Sequence, residues 1–200
     1  MAVKLSMWDT IFATPAPDRD LVYPRAIWHY ARGMAYLGKH DLANAQKEMD
    51  SLRILASDTT LRELTVWNIN TMADLTQIAA KVLNAGIAFQ QNNSAVAIKL
   101  LEEAIVVEDK LNYNEPPDWF FSVRHHLGAV LIKEGKYAEA EKVYNRDLQI
   151  WPKNGWALIG LQQALALQKK DAESQKVKTA FDQAWQYADF KISGSSAMVD

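Results

Sequence analysis

Hydrophobic residues between positions 118 and 154 recur at the spacing of two amphipathic helices. Apolar side chains three and four positions apart mark one helical face over residues 121–131, and a second series runs over residues 138–150. Gly135 separates the two series, and glycine readily adopts the left-handed conformation found at helix ends. Pro152 follows the second series, where it stops the helix. The pattern predicts two helices folded back on each other.

Six residues of this stretch agree in order and spacing with a known helical repeat. They are Leu127, Gly128, Tyr137, Ala140, Tyr144 and Pro152. Through them the stretch resembles the tetratricopeptide repeat (TPR), a family of helix–turn–helix units of about 34 residues. Asp147 departs from the pattern, because the family usually has alanine at that place. Gly128 has no side chain, so it would let a neighbouring helix approach closely.

The same spacing recurs elsewhere in the chain. Aligning Gly33 on Gly128 brings Met49 onto Tyr144 without a gap. A third unit, which contains Gly86, matches only if the turn after its first helix is one residue shorter. We therefore predict an all-α fold, an antiparallel array of helix hairpins, and the resemblance to the TPR family implies a right-handed α-superhelix.

The domain organisation is predicted from these units. We expect an N-terminal capping helix and linker at 1–22, a TPR-like repeat domain at 23–189 and a flexible tail at 190–200. Within the repeat domain we expect four units, at about 24–56, 75–111, 119–152 and 155–188, with an insert at 57–74. The chain opens inside a predicted helix, which would fit a fragment of a longer protein.

Residues 112–124, NYNEPPDWFFSVR, are richer in aromatic side chains and proline than a connector requires. One interpretation is that the aromatic side chains fill a gap beside the preceding helix. The other is an ordered loop that contacts a ligand, with Arg124 as the anchor for an anionic group. The stretch is also similar to the C-terminal region of long, uncharacterised bacterial TPR proteins.

Composition narrows the classes of function. Hydrophobic residues make up 49% of the chain and charged residues 23%, which is typical of a soluble globular protein. The formal net charge is -2 and the cationic residues are scattered, which argues against a nucleic-acid partner. The absence of cysteine excludes disulfides and thiolate chemistry. The first residues lack an apolar run long enough for a signal peptide or a membrane span, so we expect a cytoplasmic protein without a membrane partner.

Side chains that could carry chemistry are few. His125 and His126 would point about 100° apart on a helix, so the two could not readily ligate one metal ion. Acidic pairs such as Glu102-Glu103 are typical of a solvated helix face. The sequence therefore predicts a protein that is not an enzyme and uses no cofactor. A metal-binding accessory protein that uses His29, His125 and His126 is the least favoured alternative.

In the TPR family the first helix of each unit lines a concave groove that holds the ligand. Carried over by position, the resemblance implies groove residues in all four units, and we select twelve of them as the predicted groove residues. They are Tyr30, Met34, Leu37, Asn84, Ile87, Gln90, His125, Ile132, Lys133, Trp156, Ile159 and Gln163. The wall is largely apolar, and an exposed apolar surface usually marks a partner site. Its occupant would be an amphipathic segment of another protein, the chain's own helix at residues 5–12 or its insert, or repeats that precede the chain.

The functional hypothesis is a non-catalytic TPR scaffold that binds a protein or peptide segment in an apolar concave groove. The alternative is an oligomerisation or intramolecular interaction module of a larger protein, whose apolar wall contacts its own chain. Self-association would then be expected.

Overall fold

The computed structural model describes residues 2–199, and the regular structure in that range is almost wholly helical. Nine α-helices lie within these residues. They are α1 (Trp8–Ala13), α2 (Val22–Gly38), α3 (Leu42–Ala56), α4 (Met72–Gln90), α5 (Ser94–Glu108), α6 (Val123–Lys133), α7 (Tyr137–Ile150), α8 (Gly155–Leu167) and α9 (Asp171–Ala184). The predicted all-α repeat fold is confirmed. The chain divides into an N-terminal unit, Met1–Val123, and a C-terminal unit, Arg124–Asp200.

The same three-residue turn joins α2 to α3, α4 to α5, α6 to α7 and α8 to α9. The middle residues of these turns are His40, Asn92, Gly135 and Lys169. All four have positive φ, between 58° and 72°. In each turn the next amide donates to a carbonyl five residues back, as in Lys136 N to Leu131 O at 2.9 Å. This Schellman arrangement satisfies the last carbonyls of the first helix. The repeat is therefore clearer in the backbone than in the residue types.

The turn between α4 and α5 corrects one detail of the predicted register. Residues 91–93 are as many as in the other turns, so the predicted one-residue shortening is wrong. When the residues with positive φ are aligned, Ala85 rather than Gly86 takes the place of Gly128. The register was wrong because Gly86 lies directly beside Ala85, and Ala85 is the small residue that corresponds to Gly128.

The segment between α3 and α4 contains structure that the sequence did not predict. After a short 3-10 helix (Thr59–Arg62), strand β1 (Thr65–Val66) pairs antiparallel with strand β2 (Asn70–Thr71). Trp67 and Asn68 at the tip both have positive φ, as in the tight turns that suit hairpins. Trp67 is largely exposed. The predicted insert is thus a small anchored hairpin.

Tyr144 on α7 is fully buried and lies against glycines of two other helices. A Cβ atom at Gly128 on α6, or at Gly160 on α8, would overlap the ring of Tyr144. The two glycines therefore let α6 and α8 contact the same aromatic ring at close range. The predicted role of Gly128 in a close helix contact is confirmed.

We expect Gly128→Leu to lower the free energy of unfolding by about 1–3 kcal/mol, because the added side chain has no room beside Tyr144. Chemical denaturation followed by circular dichroism measures the effect. Ala138→Leu is the matched control, since the same residue is introduced at an exposed position of α7.

A double-mutant cycle makes the assignment specific. In a Tyr144→Leu background the cost of Gly128→Leu should shrink, because the ring that it would meet is gone. Equal costs in both backgrounds would mean that another contact, and not the ring of Tyr144, limits the residue at position 128.

Candidate functional site

The predicted groove residues of α2 are buried within the N-terminal unit. Tyr30, Met34 and Leu37 are each almost fully inaccessible. The ring of Tyr30 lies 5.5 Å from that of Trp119, centroid to centroid, at an interplanar angle of 58°. Trp119, in the aromatic stretch before α6, is itself buried. The chain therefore covers this face of α2 with its own aromatic side chain.

A buried asparagine holds the aromatic stretch in place. Asn70 of β2 donates through Nδ2 to Asn112 O at 2.9 Å and to Asp118 Oδ2 at 2.7 Å. Its Oδ1 accepts from Asn112 N at 2.8 Å. Burial and the nearby charge of Asp118 raise the pKa of Tyr23, near the start of α2, to about 12. These contacts support the interpretation in which the aromatic stretch fills a gap.

The N-terminal helix packs on the same long helix. Phe12 of α1 lies 4.8 Å from Tyr36, and a Cβ at Gly38 would overlap the ring of Trp8. Trp28 Nε1 donates to Thr14 O at 3.1 Å. These contacts place α1 on the side of α2 that carries Trp28 and Tyr36, and not against the predicted groove residues of that helix.

His29, one of the candidate metal ligands, belongs to an ion-pair cluster between α2 and α3. Its Nδ1 lies 2.6 Å from Glu48 Oε2, and Arg32 Nε donates to Glu48 Oε1 at 2.7 Å. Burial alone would raise the pKa of Glu48, but the hydrogen bonds from His29 and Arg32 outweigh it and hold that pKa below its usual value. The histidine therefore has a structural partner.

The predicted groove residues of α4 are divided between the core and a polar cleft. Ile87 is buried, and Gln90 donates through Nε2 to Leu37 O at 2.7 Å. Asn84 lines an open cleft of about 710 Å³ between α3 and α4. Lys81, on the same cleft, pairs with Glu103 at 2.5 Å. Asn84 and Gln90 are thus partly accessible, and of the three residues Asn84 lines the cleft.

In the C-terminal unit, His125 on α6 pairs with the residue that departs from the TPR pattern. Its Nε2 lies 2.9 Å from Asp147 Oδ2 on α7, and both side chains are buried. Arg124 is also buried, at 5% exposure. The role of Arg124 as the anchor for an anionic group stays a prediction, although the residue is hardly accessible from the surface.

The predicted flexible tail is instead packed in its last part. Ser195 Oγ donates to the carbonyl oxygen of His125 at 2.9 Å and lies 2.6 Å from Tyr144 Oη. Since its one proton goes to that carbonyl, Ser195 accepts the proton of Tyr144. Ser196 Oγ lies 2.7 Å from His126 Nδ1 and accepts from Met198 N at 3.1 Å. Ser195, Ser196 and Met198 are buried, which corrects the prediction for this stretch.

Two predicted groove residues of α8 also meet the C-terminal stretch. Gln163 Nε2 donates to Ser193 O at 2.6 Å, and the ring of Trp156 lies 6.2 Å from that of Phe190. Ile159 lies between them on the helix and is half-buried. On α6, Ile132 is half-buried and Lys133 is exposed. The structure thus brings His125, Trp156 and Gln163 to one peptide stretch.

The side chains of His126 and Tyr144 are uncharged at neutral pH. Burial and the neighbouring His125 lower the pKa of His126 to about 3, so its ring carries no charge at neutral pH. Burial raises the pKa of Tyr144 and the charge of Asp147 adds to this, although the hydrogen bond with Ser195 opposes it. Both groups therefore act as neutral hydrogen-bonding partners.

Residues 2–199 lack two further features. They hold no group of three or more histidine, aspartate or glutamate side chains placed to ligate a metal ion. None of the described helices has the length and apolar character needed to cross a bilayer.

The low pKa of His126 makes stability depend on pH. The unfolded chain takes up a proton near pH 6.5, whereas the folded chain does so only near pH 3. Stability is therefore lost as pH falls through this window, by up to about 1.4 kcal/mol per pH unit from this residue. Urea denaturation at pH 7.5, 6 and 5 measures the slope. His126→Asn, which does not titrate, should flatten it, and equal slopes in both proteins would contradict the assignment.

Comparison with known structures identifies the type of fold. The chain is similar to nearly identical TPR-like repeats of a kinesin light chain from Podosopora anserina, known from a crystal structure, over 92% of this chain and 85% of that chain. The TM-score is 0.57 and the sequence identity 15%. No protein-family model and no curated protein matches the sequence. Identity at this level establishes the fold alone, and that fold is a TPR-like helical repeat.

Proposed function

We propose that this chain is a non-catalytic TPR-like scaffold that binds a protein segment on the face of α6 and α8 in its C-terminal unit. One observation carries the proposal: this face already holds a peptide stretch, residues 193–199, through side-chain and main-chain groups of the helices. Helical repeats characteristically present such surfaces to extended partners.

The contacts are of the two kinds that peptide recognition requires. Gln163 donates to a main-chain carbonyl, which any sequence would offer. The contacts to Ser195 and Ser196, by contrast, depend on the side chains of the bound stretch. Main-chain contacts of this kind contribute affinity and side-chain contacts contribute specificity.

Partly accessible apolar side chains lie on the same two helices. Trp156 and Ile159 on α8 and Ile132 on α6 are all partly accessible. Aromatic anchors carry a large share of the binding free energy in protein interfaces. We infer that a partner contacts these three apolar side chains together with the polar groups around Ser195.

We expect Ile159→Asp to weaken peptide binding at least about tenfold, because a carboxylate would be desolvated under the partner. The ligands are peptides selected on the full chain from a random display library, and titration calorimetry gives their affinities. Ile54→Asp on α3 is the matched control, since that isoleucine is 73% exposed and lies in the other unit. Unchanged affinity for Ile159→Asp, with unchanged thermal unfolding, would contradict the proposal.

Sedimentation of the same variants tests the alternative of self-association. Under the scaffold proposal, the unaltered chain, Ile159→Asp and Ile54→Asp should all be monomers. A dimer that dissociates on Ile159→Asp but not on Ile54→Asp would instead identify this face as a contact between copies of the chain.

A further inference from the structure

We propose that residues 193–199 act as a built-in competitor, and that the partner displaces them with a segment of the same chemistry. That chemistry is two consecutive hydroxyl side chains followed two residues later by an apolar one, as in Ser195, Ser196 and Met198. The inference rests on the proposed function and names the class of peptide that the face would take. We call residues 193–199 the docking segment.

The hydroxyl at position 195 fits a site that offers one hydrogen-bond acceptor and one hydrogen-bond donor. The carbonyl oxygen of His125 accepts from the Ser195 hydroxyl, and Tyr144 Oη needs an acceptor. A hydroxyl group can do both at once, whereas a lysine can only donate and an ionised carboxylate can only accept. Ser195 is 2% exposed, so a side chain without these bonds would leave the buried hydroxyl of Tyr144 unsatisfied.

The hydroxyl at position 196 fits a neutral imidazole. Its partner, His126 Nδ1, carries either a proton or a lone pair, and a hydroxyl matches both states. An acidic or phosphorylated side chain would be desolvated here, close to the buried carboxylate of Asp147 that pairs with the adjacent His125. The site therefore selects serine or threonine over charged residues.

The apolar position is set by Met198, which is 3% exposed. It lies in a short 3-10 helix, Ala197–Val199, and its amide donates to Ser196 Oγ. This bond closes the backbone over the second hydroxyl. The spacing of two residues between hydroxyl and apolar side chain is thus fixed by the local fold.

The connection to the docking segment favours exchange. Helix α9 ends at Ala184, and residues 186–191 are all exposed. Phe190 remains attached through its carbonyl, which accepts from Trp185 Nε1 at 2.9 Å. Release of the docking segment therefore breaks no helix. A short tether of this kind holds its segment at an effective concentration of about millimolar, which an external peptide must overcome.

The test uses a variant of the full chain in which the docking segment no longer fits. Met198→Asp places a charge at its buried anchor and leaves α6, α7 and α8 unaltered. Ser193→Asp is the matched control, because that side chain is exposed on the same segment. The probe is a dye-labelled synthetic peptide SGSSAMV, whose binding is followed by fluorescence anisotropy.

We expect Met198→Asp to bind this peptide at least about tenfold more tightly than the unaltered chain or Ser193→Asp, because the internal competitor is weakened. A peptide SGAAAMV should bind Met198→Asp at least about tenfold more weakly than SGSSAMV, since two buried hydroxyl contacts are lost. Equal affinities for the two peptides, or no gain in Met198→Asp, would overturn the inference.

A random heptapeptide library panned on Met198→Asp separates this inference from the proposed function. Enrichment of paired serine or threonine followed two residues later by an apolar residue supports both. Selected peptides without that pattern overturn the inference and leave the scaffold proposal standing. A folded Met198→Asp that retains no peptide overturns both.

If Met198→Asp does not fold, hydrogen exchange on the unaltered chain tests whether an external peptide displaces the docking segment. Excess SGSSAMV should accelerate exchange of the backbone amides of residues 195–199 towards the rate of an unprotected peptide, while SGAAAMV at the same concentration should not. Unchanged protection of those amides at saturating peptide would overturn the inference.

Discussion

The close packing of one tyrosine ring governs the C-terminal unit. Tyr144 contacts α6 at Gly128 and α8 at Gly160, where no Cβ atom fits. Its hydroxyl reaches Ser195, which in turn donates to a carbonyl of α6. A buried phenol without that partner would cost about 1–3 kcal/mol. The packing of three helices and the position of the docking segment are therefore energetically linked through a single side chain.

Sequence reasoning predicted the helices because their determinants are local. Apolar spacing, Gly135 at a turn and Asp41 before α3 all act within a few residues, and the structure has Asp41 Oδ1 accepting from Asn44 N at 3.1 Å. The register of the third unit failed for a local reason as well. Aligning Gly86 on Gly128 shifts the third unit by one residue. The backbone geometry of the turn places Ala85 at that position instead, and residue types are a poor guide to that geometry.

The His125–Asp147 pair shows a signal that was present in the sequence but was not used. Asp147 departs from the TPR pattern, and His125 is by its residue type a candidate metal ligand. The two departures explain each other, because each provides the other's buried hydrogen-bond partner at 2.9 Å. A polar residue at a buried repeat position implies a second one opposite it. Reading such departures in pairs would have placed His125 in the interior.

Other features rest on contacts that no periodicity encodes. The hairpin β1–β2 is only two residues long in each strand, and its anchor, Asn70, bonds to residues more than forty positions away. Ser195 and Ser196 lie in a small polar stretch that reads as a tail, yet their partners are on α6 and α7. Such contacts depend on the completed fold. The burial of Tyr30 and Leu37 depends on it in the same way, and the spacing of apolar residues therefore did not reveal it.

Both units cover predicted groove residues with their own chain, but the two covers differ in how firmly they are held. Trp119 is buried against Tyr30, and the stretch around it is fixed through three hydrogen bonds of the buried Asn70. Removing it would expose aromatic surface and strand polar groups. The docking segment is held by four hydrogen bonds and by the burial of Met198, but it joins α9 only through exposed residues, so its release disturbs little else. Exchange with a partner is therefore easiest on the face of α6 and α8, which supports the proposal that a partner binds there.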